Sequence, residues 1–227
     1  MNNVLENEFA SANTPVRQHQ MSSGYTNRVA SGPLLDTVFK MRYESYYGKE
    51  FIEESSSKLF MDEYDGLSNS RSYLTFKNQK AIGSIRGCIY DPGKDLPIPI
   101  ADVFYHEIEK AVGFDRSMLE INKFVISPHF QRRGGLRARF MIYSNVVDAA
   151  VEQGAEFLVA GVREEHIEYN KSMFGFELAS DLRSYPHLKF KTALMVCTDI
   201  ASVKRKIDRK LVNRKGFNDS LPRYSVC

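Results

Sequence analysis

From residue 34 onward, apolar side chains recur with a helical period: Leu34, Leu35, Val38, Phe39, Met41 and Tyr46 form one stripe ending at Gly48. Ser31-Gly32-Pro33 punctuates its start, with the proline in the first turn where its missing N–H costs nothing. A short helix is expected around Ser57 to Glu63. The period then drops to two. Tyr73 to Phe76 and Ala81 to Tyr90 read as strands of a hairpin around the polar turn Lys77-Asn78-Gln79-Lys80, closed by Asp91-Pro92-Gly93. Ala101 to Val112 is predicted helical, with Val103, Phe104, Ile108 and Val112 on one side. Glu120 to Ile126 reads as a central strand stopped by Ser127-Pro128. Leu136 to Glu152 is a long helix closed by Gln153-Gly154, and Phe157 to Val162 a buried strand. Glu165 to Phe174 is a helix ending at Gly175, Lys189 to Thr198 a last strand, and Ser202 to Arg214 a basic helix.

Helix, hairpin, helix, then strand and helix in alternation argues for an α/β fold with a mixed sheet flanked by helices. Residues 1–31 are rich in Asn, Ser, Gln and Thr without periodicity and are expected to form a flexible arm. The folded domain is expected over 32–200, with a basic helix and tail over 201–227. The 227 residues bury a sizeable core, and a net charge of +3 does not by itself argue for nucleic acid. No apolar run reaches membrane-spanning length, and the start lacks the pattern of a signal peptide. Cys88, Cys197 and Cys227 form no C-x-x-C pair, which favours a reducing cytoplasm. The five histidines show no ligand spacing, so no metal site is expected.

One segment concentrates anion-binding chemistry. After the strand ending Phe124-Val125-Ile126 comes Gln131-Arg132-Arg133-Gly134-Gly135-Leu136, and a long helix starts there, carrying Arg137 and Arg139 in its first turns. Glycines allow backbone N–H groups to face outward, and a helix N-terminus adds unpaired donors and the positive dipole end. A phosphate-bearing ligand fits such a place; so does a solvated arginine-rich turn. A second set of residues interrupts apolar elements. Glu120 and Lys123 lie in the central strand, Arg86 in the hairpin and Arg42 in the first helix, with Glu63 and Asp65 just before the hairpin. Buried charges need a partner or a task. Either these are core ion pairs, or Arg86 and Glu120 share a cleft between adjoining strands.

The turn resembles the GNAT superfamily of N-acyltransferases, whose mark is Gln or Arg, two residues, Gly, one residue, then Gly or Ala. Gln131 and Gly134 match, and Leu136 departs from the last position. Asn170 to Glu177 is similar to the superfamily's closing helix and Gly-Phe turn. Lys171 stands where many members have a tyrosine, and that tyrosine's role is not transferred to Tyr169. Within the superfamily, the chain resembles the acyl-homoserine-lactone (autoinducer) synthases and the bacterial N-acyl amino acid synthases. Arg42, Glu63-Tyr64-Asp65, Gly83-Ser84-Ile85-Arg86 and Glu120-Ile121-Asn122-Lys123 match that branch in order. Ser68 replaces its second Asp, Lys123 its closing Arg, and there is no tryptophan, changes that weaken S-adenosylmethionine as acceptor.

The resemblance implies a three-layer fold with a mostly antiparallel sheet and helices on both faces. It implies transfer of an acyl group, long-chain in that branch, from acyl carrier protein or acyl-coenzyme A to the amine of an amino acid or similar small molecule, without a metal. Glu120 is the expected base, and Arg42, Asp65, Arg86 and Lys123 the expected acceptor-binding set. The backbone of Phe124, Val125 and Ile126 is expected to meet the thioester, and Gln131, Arg132, Arg133, Gly134, Gly135, Leu136 and Arg137 the donor's phosphates. Aromatic residues of the first helix, the 101–112 helix and the 140s helix are candidates for an acyl pocket. Rival readings are a general acetyl-coenzyme A-dependent N-acetyltransferase, an autoinducer synthase, and a non-catalytic module binding through the basic C-terminal helix. That helix is also a candidate for carrier-protein or peripheral membrane contact.

Overall fold

The computed structural model describes residues 24–131 and 135–212. The strands are β1 (Tyr25–Val29), β2 (Ser70–Lys77), β3 (Lys80–Tyr90), β4 (Met118–Ile126), β5 (Phe157–Arg163), β6 (Glu177–Leu178), β7 (Arg183–Ser184) and β8 (Lys191–Cys197). The helices are α1 (Pro33–Tyr47), α2 (Ala101–Ala111), α3 (Pro128–Gln131), α4 (Gly135–Glu152), α5 (Ile167–Phe174) and α6 (Ile200–Val212). One sheet runs β1-β2-β3-β4-β5-β8-β6, with β7 also on β8, and every pairing is antiparallel except β4 with β5. The expected mixed, mostly antiparallel sheet between helical layers is what forms.

The tight turn of the β2–β3 hairpin is only Asn78-Gln79, both with positive φ (48° and 66°), the twist a two-residue hairpin demands. From Gly83 onward β3 alternates. Ile85 joins the core under α4, while Arg86 and Cys88 face the other way. Gly83 and Gly87 lie on the α4 face, where an added Cβ at Gly83 would stand 2.3 Å from Ile142 Cδ1 and 2.7 Å from the Val125 carbonyl oxygen. Gly83→Ala is therefore expected to cost about 1–3 kcal/mol through overpacking. A lower denaturant midpoint at unchanged m-value would show it, and an unchanged midpoint would refute it. On the opposite face, α1 covers Leu74 and Val125, and α2 covers Cys88, Met118 and Val159.

Three expectations are corrected. Tyr25–Val29, placed in the N-terminal arm, is an edge strand with Tyr25 opposite Lys77; its polar sequence hides a strand held by its partner's backbone. Residues 1–23 lie outside the described residues. The helix expected over Ser57 to Glu63 does not form: Lys58 has φ 51°, and a single 3₁₀ turn, Glu63–Gly66, follows instead. Nor is α6 an appendage. Ile200, Val203, Ile207 and Leu211 are buried against α4, so the basic residues form only its outer face. The two-residue strands β6 and β7 are too short to show a period and were not predicted. Among the described residues, no helix is long and apolar enough to cross a membrane.

Candidate active site

The charged residues of α1, β3 and β4 converge. Arg42 and Arg86 are both 0% exposed, their stems packed in the layer between the sheet and α1. Arg42 grips Asp65 with Nη1 at 2.8 and 3.0 Å and gives Nη2 to Ser72 Oγ at 2.7 Å. Arg86 reaches Asp65 at 3.1 Å and forks onto Asp62 at 2.5 and 3.1 Å, while its Nε donates to Asn122 Oδ1 at 2.7 Å. Lys123 closes on Asp62 at 3.1 Å and lies over the Phe60 ring at 3.9 Å. Asn122 donates to Glu120 Oε1 at 2.7 Å, and the Ile100 N–H donates to Glu120 Oε2 at 2.9 Å.

Arg86 and Glu120 therefore do not bond to each other; Asn122 stands between them and bonds both. Nor do Arg42 and Arg86 present a free grip for a substrate carboxylate, as expected from sequence, because two aspartates already hold them out of solvent. Asp62 and Asn122 are central and were missed. A polar residue in a buried strand was the available signal for Asn122. For Asp62 there was none beyond its proximity to Asp65.

A bulge makes this convergence possible. Arg86 pairs with Asn122 and Ser84 with Val125, so Lys123 and Phe124 share one position opposite Ile85, and Lys123 takes φ 49°. Simple alternation would send Lys123 to the face opposite Asn122. The bulge instead brings Lys123 to Asp62, on the face where Asn122 meets Arg86, and resets the strand so that Phe124 stacks on Tyr143 of α4 while Val125 packs under α1.

The carboxyl groups are driven apart. Burial pushes Glu120 up to about 7, against the bonds from Asn122 and Ile100 and the charge of Arg86. Burial also acts on Asp62, but the Arg86 bond and the Lys123 charge outweigh it and hold Asp62 at about 2. Lys123 is lowered by burial to about 8. With Glu120 protonated, three cations face two carboxylates; its ionisation balances the cluster.

Beside this cluster the sheet splits. The β4–β5 ladder ends at Glu120–Val159, and the strands diverge beyond it. The gap opens into a cleft enclosing about 830 Å³ including its mouth. Asn122, Lys123 and Phe124 form one side, Gly161 and Arg163 the other, with Tyr143 and Arg139 from α4 and Tyr169 from α5 completing the α4 end. Of the three residues expected to meet the thioester, Phe124 lines the cleft, whereas the side chains of Val125 and Ile126 are buried in the core. Tyr169, set aside on sequence, is a cleft residue, and Lys171 is instead paired with surface Glu168. Of the proposed acyl-pocket aromatics, Tyr46 and Tyr143 line the cleft, while Phe104 and Phe140 are core.

The second turn of α4 brings Arg139 to the cleft. Gly135 has φ 46°, Leu136 packs partly against the core, and Arg137 Nη2 donates to the Leu211 carbonyl at 3.1 Å, tying the start of α4 to α6. Arg132, Arg133 and Gly134, and the side chain of Gln131, lie outside the described residues. Among the described residues, no group of His, Cys, Asp or Glu side chains is arranged to hold a metal ion.

A carboxyl held near neutrality thus stands beside a cleft between parted strands, and comparison with known proteins identifies the family. Residues 37–198 match the family described as N-acyl amino acid synthase FeeM. No individual curated protein sequence matches the chain. The structure of FeeM from uncultured soil microbes superposes with a TM-score of 0.65 at 14% identity, covering 80% of this chain and 94% of that one. The acyl-homoserine-lactone synthase LasI superposes at 0.59 and 16%, covering 79% and 94%. BjaI, a coenzyme A-dependent acyl-homoserine lactone synthase, does so at 0.57 and 18%, covering 77% and 81%. At such identities these likenesses speak for the fold.

Proposed function

The chain belongs to the N-acyl amino acid synthase FeeM family and is an acyltransferase, and from that premise we propose that it acylates the α-amine of a free amino acid with a long acyl chain drawn from a carrier-protein or coenzyme A thioester. The observation that carries this is Glu120, a carboxyl held near 7 at the point where β4 and β5 part. An incoming ammonium must lose a proton before it attacks, and a base poised near neutrality is matched to that task. Glu120 takes the proton directly or through one water. The amine nitrogen bonds to the carbonyl carbon, the backbone N–H groups of the splayed β4 segment stabilise the oxyanion, and the C–S bond breaks. The nitrogen, cationic after attack, gives its surplus proton to the departing thiolate, and Glu120 releases the first proton to solvent. Arg42, Arg86, Asp62 and Asp65 hold β4 and its bulge in place, and Lys123 balances the cluster at the cleft wall.

The donor's phosphates are taken by the α4 N-terminus, where the helix dipole and the arginines around Gly134-Gly135 favour an anion. Arg205, Arg209 and Lys210 are exposed on α6, whose C-terminal end meets the start of α4 through Arg137, which suits the approach of an acidic carrier protein. Cys88 and Cys197, free and buried, are consistent with a cytoplasmic location.

Mass spectrometry of lipid extracts from a bacterial host expressing the chain is expected to reveal N-acyl amino acids missing from an empty-vector host. Purified protein supplied with one acyl group on either thioester then assigns the donor. If no acylated amine appears in cells or with either donor, the reading fails.

A further inference from the structure

With Arg42 and Arg86 consumed inside the protein, the acceptor's carboxylate needs another cation. Arg163 ends β5 on the wall of the cleft opposite Lys123. The residue is only 7% exposed, and its guanidinium carbon lies 4.4 Å from the Phe51 ring centroid and 5.4 Å from that of Phe190. Its hydrogen bonding is half used. Nη2 donates to His166 Nε2 at 3.0 Å, Nη2 meets Glu165 Oε1 at 2.8 Å, and Nε, though buried, has no partner. Arginine has no acceptor, so His166 must offer a lone pair; burial and the Arg163 charge lower that ring to about 4, leaving it neutral at physiological pH. Glu165, whose carboxylate Arg163 contacts, has a side chain 50% exposed. An ion pair with so exposed a partner is weak, and an incoming carboxylate displaces it at little cost. The other cleft cations are placed differently. Lys123 is engaged by Asp62, and Arg139 rises from the second turn of α4, over Tyr169, on the side where donor phosphates arrive.

We infer that Arg163 binds the carboxylate of the amino-acid acceptor in the cleft, with Glu165 occupying that position in the unliganded protein. The inference rests on the proposed amino-acid acceptor. A preorganised guanidinium with an unfilled donor, braced by two rings and screened from water, is suited to bidentate carboxylate recognition. Its fixed position on β5 would direct the acceptor's amine toward the β4 wall, where the acyl carbonyl sits.

The test uses the purified full chain and whichever acyl thioester it turns over. The twenty protein amino acids are screened first, then the best acceptor is compared with its own α-carboxamide. Wild type is expected to favour the free acid at least tenfold in kcat/KM. Arg163→Met should raise KM for the acid about 10- to 100-fold with kcat little changed, erase the preference over the amide and leave the donor KM unmoved, and Arg163→Lys should recover part of the loss. Retained preference for the acid, or a loss confined to donor KM, overturns the inference. Should Arg163→Met fail to fold, Glu165→Gln decides: removing the competing carboxylate is expected to lower KM for the acid severalfold, and an unchanged KM overturns the assignment. A wild type that acylates no amino acid would instead refute the functional reading on which the inference stands.

Discussion

Replacing Glu120 by glutamine is expected to slow acyl transfer by about 100- to 10,000-fold at pH 8, the usual span for losing a general base. The wild-type rate should climb tenfold per pH unit below about 7 and level off above it, because only the ionised carboxylate accepts a proton. In the glutamine variant that limb should vanish, since an amide has no such titration. The fold should gain what catalysis loses. The folded-state pKa of Glu120 is raised from 4.5 to about 7, so between those values the native chain holds a proton that the unfolded chain has released. Stability therefore falls as pH rises through that window and stays lower above it. At 1.36 kcal/mol per pH unit this amounts to roughly 3 kcal/mol for the fully buried group. Glutamine still accepts from Asn122 or the Ile100 N–H without carrying charge, so the variant should melt higher than wild type at pH 8 and show little difference at pH 4. Activity within threefold of wild type at pH 8 would remove Glu120 from the proton transfer. A lower melting temperature at both pH values would assign it a purely structural role.

Replacing Asp65 by asparagine is expected to be among the most destabilising single changes in the chain. Its carboxylate holds Arg42 by two bonds and Arg86 by a third, and neither guanidinium has any exposure to solvent. Asparagine keeps the shape but turns an N–H₂ toward arginine donors and leaves positive charge buried without its counterion. Breaking a buried pair this way costs about 3–5 kcal/mol. For a domain of this size that is a fall in melting temperature of about 6–20 °C. The combined change Arg42→Met with Asp65→Leu should recover much of the loss, because it removes a charge together with its counterion and leaves Arg86 on Asp62. If Asp65→Asn melts within 3 °C of wild type, the cluster is not what fixes the Glu63–Gly66 turn, the hairpin and α1 to one another. Activity should fall in parallel, since Asp62, Arg86 and Asn122 position the bulge at Lys123.

Much of the molecule was legible along the chain because its cues are local. Pro33 and Gly48 bracket α1, the change of period announces the β2–β3 hairpin, and Gly175 takes φ 71° to end α5 as its position predicts. Charged residues inside apolar elements marked Arg42, Arg86, Glu120 and Lys123 as exceptional, because burying an ion without cause is too costly to be incidental. Asp65, two residues after Glu63, was singled out by the matching motif and not by any period.

Which of those residues meet was another matter. Whether Arg86 faces a substrate or an aspartate depends on where the irregular segment before β2 places Asp62, and no period describes that segment. Arg163 gave no signal, since a charge after an apolar strand most often ends at the surface. The sequence by itself determined most of the helices and long strands, their order and most of the side chains too polar for their surroundings, because these follow from propensities and periods within a few residues. Only the tertiary structure decided that Lys123 turns toward Asp62, that two arginines are spent on aspartates, and that β4 and β5 part after Glu120. Those outcomes depend on strand register and on one bulge, and a one-residue shift in register reverses the face of every side chain that follows.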